Sequence, residues 1–237
     1  MANQYFQFKQ FTIFQQHCAM KVCTDACLFG AWVAHLPCAS TWRNILDVGT
    51  GTGLLSVMLT QKTSAHITAI EIDEAAVLQA TANFNASPWG TRLQTIHQDV
   101  RTYTPNHTFD LVVSNPPFFE NDLHSPNQQT NIALHSSNLS SELLMEKAAN
   151  LTGLNGHLAL LLPYQRLAVF INLALQHGLH VQYICNVRQT EKHAFFRSMV
   201  CFGRELQTAT TEEITIKENM EYSKAFKQLL QPYYLYL

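Results

Sequence analysis

A chain of 237 residues, 47% hydrophobic and 14% charged, is long enough for one full domain with a large core and too apolar to be disordered or fibrous. The formal net charge of −2 gives no overall basic signal of the kind that marks many nucleic-acid binders. The sequence shows neither a signal peptide nor a membrane span, so a cytoplasmic protein that does not enter the membrane is expected.

No repeat or linker divides the chain, which reads as a single domain: a small N-terminal cap over 1–43, a main core over 44–203 and a C-terminal extension over 204–237. In the cap, Thr24 or Asp25 is placed to start a short apolar helix from Ala26 to His35. Lys21, just before it, either flanks that cap or reaches a ligand carboxylate. Four of the six cysteines (Cys18, Cys23, Cys27 and Cys38) fall here, but none is spaced as C-x-x-C, so buried small hydrophobes explain them better than a metal site. No metal constellation is apparent.

The run Ile45-Leu46-Asp47-Val48 predicts a strand covered on both faces, and Gly49-Thr50-Gly51-Thr52-Gly53 a tight turn into a helix over 52–62. The amino end of that helix aims free N–H groups and a positive dipole end at the space over the turn. A second strand over 65–72 ends at Glu71, and Asp73 caps a helix to about Asn85. A third strand, Leu93 to His97, stops before Asp99, and a fourth, Phe109 to Val113, before Asn115. This alternation predicts an α/β fold with a doubly wound, mostly parallel sheet.

Residues 115–139 lack periodicity and form a loop long enough to suspect function. A helix (139–151), a strand (157–162) and a helix (165–177) follow. Val181–Val187 and Phe195–Phe202 have no helix between them and predict a closing antiparallel hairpin. Around it, Arg188, Lys192, Arg197 and Arg204 face few acids, which suits either a solvated hairpin or a phosphate-contacting surface. The tail is expected to be a helix and an aromatic segment packed back on the core.

In such sheets ligands bind beyond the carboxyl ends of the strands, here Asp47 with the glycines, Glu71, Asp99 and Asn115. A dinucleotide fingerprint fails, because Leu54 and Ser56 stand where a further glycine is needed. Asp-x-Gly-x-Gly-x-Gly with an acid ending the next strand resembles the S-adenosylmethionine-dependent methyltransferases. That resemblance implies that Gly49, Gly51 and Gly53, beside Asp47, approach the methionine part of the cofactor. It also implies that Glu71 accepts both ribose hydroxyls and that Asp99 accepts from the adenine amine; for Asp99 a turn cap is the competing reading.

Asn115-Pro116-Pro117-Phe118 resembles the N-P-P-Y/F motif of enzymes that methylate planar nitrogens, either base amines or glutamine amides. The Asn115 side-chain carbonyl and the Pro116 carbonyl would each accept one N–H, directing a delocalised lone pair at the methyl donor. Phe118 would stack on the target ring. Met20-Lys21-Val22, Thr24-Asp25, Gly30-Ala31-Trp32, Ile45–Leu55, Asn83-x-Asn85-x-Ser87-Pro88-Trp89, Asn115–Phe118, Glu120, Ser125-Pro126, His135 and Tyr222–Tyr234 together resemble the bacterial tRNA1(Val) adenine N6-methyltransferases. That family implies S-adenosylmethionine as cofactor and, as substrate, the adenosine 3′ of the anticodon in the anticodon loop of a valine tRNA. Asn131 and Leu134 stand where arginines are expected in relatives, which leaves more of the RNA contact to Arg188, Lys192 and Arg197. A monomer is expected. The rival readings are a glutamine-amide methyltransferase, for which a 43-residue cap is too short, a DNA methyltransferase lacking its recognition insert, and a non-catalytic cofactor- and RNA-binding module.

Overall fold

The computed structural model describes residues 3–18, 20–116 and 139–237. In chain order the strands are β1 (Tyr5–Gln7), β2 (Thr12–Phe14), β3 (Asn44–Val48), β4 (His66–Glu71), β5 (Leu93–His97) and β6 (Phe109–Ser114). They continue with β7 (Thr152–Pro163), β8 (His180–Arg188), β9 (Phe195–Gly203), β10 (Thr210–Thr215), β11 (Lys217–Glu218) and β12 (Glu221–Tyr222). The helices are α1 (Thr24–His35), α2 (Leu54–Lys62), α3 (Glu74–Ala86), α4 (Ser141–Leu151), α5 (Leu167–Gln176) and α6 (Lys224–Leu230). Serine or aspartate side chains cap three of the helix starts: Asp73 accepts from Ala75 N, Ser140 from Leu143 N and Ser223 from Phe226 N. Each such cap is worth ~1 kcal/mol.

One eight-stranded sheet runs in the order β10-β8-β9-β7-β6-β3-β4-β5. β9 pairs antiparallel with β7 and β8, and the remaining pairs in this sheet are parallel. The strands are apolar at successive positions because both faces are covered. Ile45, Leu111 and Val113 pack with α1, α2, α6 and the N-terminal segment on one face, whereas Leu46, Val112 and Leu158 pack with α4 and α5 on the other. Strand order reverses between β3 and β6, which lie side by side with Val48 opposite Ser114. The parallel strands therefore end along one edge, at Val48, Glu71, His97, Ser114, Pro163, Arg188 and Thr215.

Three features depart from the sequence reading. The first 43 residues contain a β1–β2 hairpin, and Phe8, Phe11 and Ile13 share a core cluster with the sheet. α1 starts at Thr24 with Cys23 at the cap position and no side-chain cap, because the Asp25 carboxylate is engaged by Ala26 N and by Arg197. The C-terminal extension adds a parallel edge strand, β10, beside β8 before α6. The tail does pack back on the core, with Phe226, Leu230 and Tyr233 fully buried.

Candidate active site

The turn after β3 is the centre of the site. Gly49, Gly51 and Gly53 all have positive φ (+71°, +54° and +80°), a region that glycine enters without steric cost. The first two differ from the third in what surrounds them. Among the described residues, a Cβ at Gly49 or Gly51 would meet no atom within 4 Å, whereas one at Gly53 would lie 2.5 Å from Phe84 Cε1. Gly49 and Gly51 thus leave a cradle open, while Gly53 makes room for the ring of α3. Packing against Phe84 is a role for Gly53 beyond the cofactor approach that the methyltransferase resemblance implies for it.

The turn is fastened on several sides. Gly49 N and Thr50 N donate to the Ile70 carbonyl of β4 at 2.9 and 3.2 Å. Beneath it, fully buried Asp47 accepts from Thr50 Oγ1 and Ser56 Oγ, each at 2.7 Å, which ties the loop to α2. Its other oxygen, Oδ1, has no hydrogen-bond partner among the described residues. Burial pushes the Asp47 carboxyl up to about 6, against the lowering effect of the two hydroxyl bonds. Asp47 supports the loop from within the fold and is not itself on the surface.

Glu71 stands at the neighbouring strand end. Its Oε2 accepts from Gly51 N at 3.0 Å and its Oε1 from Ile72 N and Asp73 N at 2.8 and 3.1 Å. A carboxylate has about four acceptor positions, so capacity remains for a ligand hydroxyl. Asp99 behaves as the competing reading said. It caps the turn at Val100–Thr102 through Arg101 N and accepts from Arg101 Nε at 2.6 Å, and that guanidinium holds its carboxyl below the ordinary value.

Asn115 follows β6 directly, and Ser114 Oγ donates to the Val48 carbonyl at 2.8 Å, locking the two strand ends together. Asn115 consequently lines one cleft with Lys21, Val22, Cys23, Gly49, Thr50 and Gly51. Pro116 is buried behind it, and Pro117 and Phe118 lie outside the described residues. Lys21 lines this cleft while its Nζ donates to the Gln15 carbonyl. A wider open cleft between Tyr103–Thr108 and Lys147–Leu151 sits at the other end of the sheet, where β6 begins, away from these groups.

Asn83, read from the sequence only as part of the family resemblance, anchors the glycine turn from behind the cleft. It is 1% exposed. Its Nδ2 donates to the carbonyls of Thr52 and Phe14, both at 2.8 Å, and its Oδ1 accepts from Phe14 N at 2.9 Å. α3 is thereby bonded at once to the glycine turn and to β2. The signal was available, since an asparagine inside a helix is a poor helix former that needs a reason.

The three basic candidates are differently engaged. Arg197 pairs with Asp25 at 2.8 Å and so joins β9 to the first turn of α1, beside Cys23 and Ala26 of the cleft. Arg188 donates to Thr215 Oγ1 at 2.9 Å and lies over Phe195, and Lys192 is exposed on the β8–β9 turn. Arg204 is structural, donating to the carbonyls of His177 and Ala149. All six cysteines are free, and among the described residues no group of three His, Cys, Asp or Glu could hold a metal. No helix of the described residues is long and apolar enough to cross a membrane.

A glycine cradle at the switch point of a doubly wound sheet, with a strand-end acid on one side and Asn-Pro on the other, defines a class I methyltransferase fold. Residues 30–151 match the family model described as Methyltransferase small domain. A predicted O-methyltransferase from Agrobacterium tumefaciens shares the fold with a TM-score of 0.66 at 18% identity, over 88% of this chain and 96% of that one. The ribosomal protein L11 methylase of Lactobacillus delbrueckii does so with a TM-score of 0.52 at 14% identity, over 76% and 78%.

Sequence relatives define the family more narrowly. Proteins from Phocaeicola vulgatus (37% identical, 99% of both chains), Bacteroides fragilis (38%, 99% of both) and Pseudoalteromonas translucida (39%, 97% of this chain and 98% of that one) are each named tRNA1(Val) (adenine(37)-N6)-methyltransferase. The chain belongs to that family.

Proposed function

We propose that the protein methylates the exocyclic N6 amine of adenosine 37 in a valine tRNA, with S-adenosylmethionine as donor, in the cytoplasm and as a monomer. The observation that carries this reading is the pairing of β3 with β6, which sets the Asn115–Pro116 exit beside the open Gly49–Gly51 cradle.

The residues present fit such a cofactor. Gly49 and Gly51 leave room where any side chain would intrude, Glu71 keeps acceptor capacity for a ribose hydroxyl, and the buried Asp47 oxygen supplies negative potential below the turn. When bound, S-adenosylmethionine supplies an electrophilic methyl group on a sulfonium. Asn115 and Pro116 do the rest by position. Their two carbonyl oxygens accept the two N–H groups of the adenine amine, which is a weak nucleophile because its lone pair is delocalised into the ring. Holding both hydrogens fixes the nitrogen's orientation towards the methyl carbon, which is catalysis by alignment rather than by a general base; the amine becomes strongly acidic once alkylated and releases one of its N–H protons to water. Pro116 stiffens the exit so that the acceptors are preset. An anticodon-loop base must leave its stack to reach them, as base-modifying enzymes require.

The test is transfer of labelled methyl from S-adenosylmethionine to unmodified tRNA, to DNA and to release-factor protein, offered separately. Label recovered as N6-methyladenosine from tRNA alone supports the reading. Label in a protein glutamine overturns the substrate and leaves the planar-nitrogen chemistry standing.

A further inference from the structure

Along the same strand-end edge, a row of rings and a cation lies outside the cleft. Tyr164 follows the last residue of β7, and Phe195 opens β9; their ring centroids are 5.3 Å apart. Arg188 ends β8 opposite Phe195, with its guanidinium 5.3 Å from that ring. Thr215 Oγ1 accepts from its Nε at 2.9 Å and Glu213 lies 3.6 Å from its Nη2, so the planar group is held in place and not left to sweep through solvent. Tyr164 is 39% exposed, Phe195 is half-buried and the Arg188 side chain is 29% exposed. The row is therefore preformed and partly open to solvent.

We infer that Tyr164, Phe195 and Arg188 form a stacking platform for an unpaired base that flanks the methylated adenosine. The inference rests on the tRNA reading above and adds the surface that holds the splayed loop. Every base presents a π-face, so rings and a guanidinium plane take an unstacked nucleotide without regard to its identity. Position selects which nucleotide. Phe195 on β9 is two strands from β6, roughly 10 Å along the sheet at about 4.8 Å per strand. Tyr164 follows Pro163, itself roughly 10 Å along β7 beyond Leu160, the partner of Ser114 at the end of β6, so both are too far for the reacting base and suited to a neighbour. Lys192 and His193, exposed on the β8–β9 turn, place further donors where the RNA backbone leaves the platform.

Steady-state methylation of an unmodified tRNA transcript by the full-length protein tests this. Tyr164→Ala and Phe195→Leu each raise KM for tRNA about 5- to 150-fold, the factor that a base stack of ~1–3 kcal/mol represents. The kcat and the KM for S-adenosylmethionine stay at wild type, and Tyr164→Phe and Phe195→Tyr restore the tRNA KM. A residue that merely covers the sheet edge would shift the melting temperature without this pattern. Should Phe195→Leu fail to fold, exposed Tyr164→Ala decides alone. An unchanged tRNA KM in an otherwise active Tyr164→Ala enzyme overturns the platform and leaves the tRNA reading intact; a wild-type enzyme that labels no tRNA overturns both.

Discussion

The contrast between Gly51 and Gly53 is a sharp consequence of the glycine turn. Both have positive φ, so alanine at either site costs ~1–2 kcal/mol of backbone strain. At Gly53 the added methyl would also lie 2.5 Å from Phe84 Cε1, and Phe84 is 2% exposed, so the ring cannot swing away without disturbing the core. Overpacking of that kind adds ~1–3 kcal/mol. The sum for Gly53→Ala is ~2–5 kcal/mol, which in a chain of this size lowers the melting temperature by roughly 4–20 °C. Gly51→Ala carries only the strain, a few degrees, because its methyl enters open space. That space is where the proposed reading puts the cofactor, so Gly51→Ala is expected to lower S-adenosylmethionine affinity about tenfold, the effect of ~1.4 kcal/mol. Thermal unfolding and calorimetric titration of both variants separate the two effects. A Gly51→Ala protein as unstable as Gly53→Ala, with unchanged cofactor affinity, would refute the assignment of the open cradle.

Two further outcomes follow from buried polar groups. Asn83→Leu leaves Phe14 N, Phe14 O and Thr52 O without their partner, at ~1–3 kcal/mol for each group that water cannot reach; hydrogen exchange then accelerates in β2 and in the glycine turn, and unchanged exchange in both would count against the anchor. Asp47, with its folded value pushed up to about 6 from an ordinary 3.8, makes a contribution to stability that is full below about pH 4 and lost as pH rises through about 6. Denaturant unfolding should show wild type gaining ~1 kcal/mol relative to Asp47→Asn between pH 7 and pH 5. Parallel pH profiles would contradict the buried, desolvated carboxylate.

The parallel strands over 44–48, 66–71, 93–97 and 109–114 are legible in the sequence because short apolar runs end there at glycine or a polar residue, a local pattern that needs no partner to read. What escapes is what distant residues decide. β1 and β2 are three residues long each, and they are held by Asn83 and by the tail, where Lys9 N donates to the Tyr233 carbonyl and Phe8 bridges Tyr234. β10 reads as an exposed polar stretch, Thr-Thr-Glu-Glu, until β8 pairs with it. Gly51 and Gly53 look alike in a spacing pattern; only Phe84, some thirty residues on, shows that Gly53 packs against a ring while Gly51 faces open space among the described residues. Similarly, Arg197 bears the right charge for a ligand, and its partner Asp25 lies at the other end of the chain, where no spacing rule reveals it.

The central claim is that Asn115 aligns the nucleophile, and single-turnover methyl transfer by Asn115→Ala tests it most directly. With tRNA and cofactor both saturating, the rate of transfer within the ternary complex should fall about 10²–10³-fold, as on removal of one preorganised acceptor or donor at a reacting centre. Separately measured dissociation constants for tRNA and for S-adenosylmethionine should remain within a few-fold of wild type. A variant that binds tRNA poorly yet transfers at the wild-type rate once bound would show that Asn115 holds the substrate without aligning it.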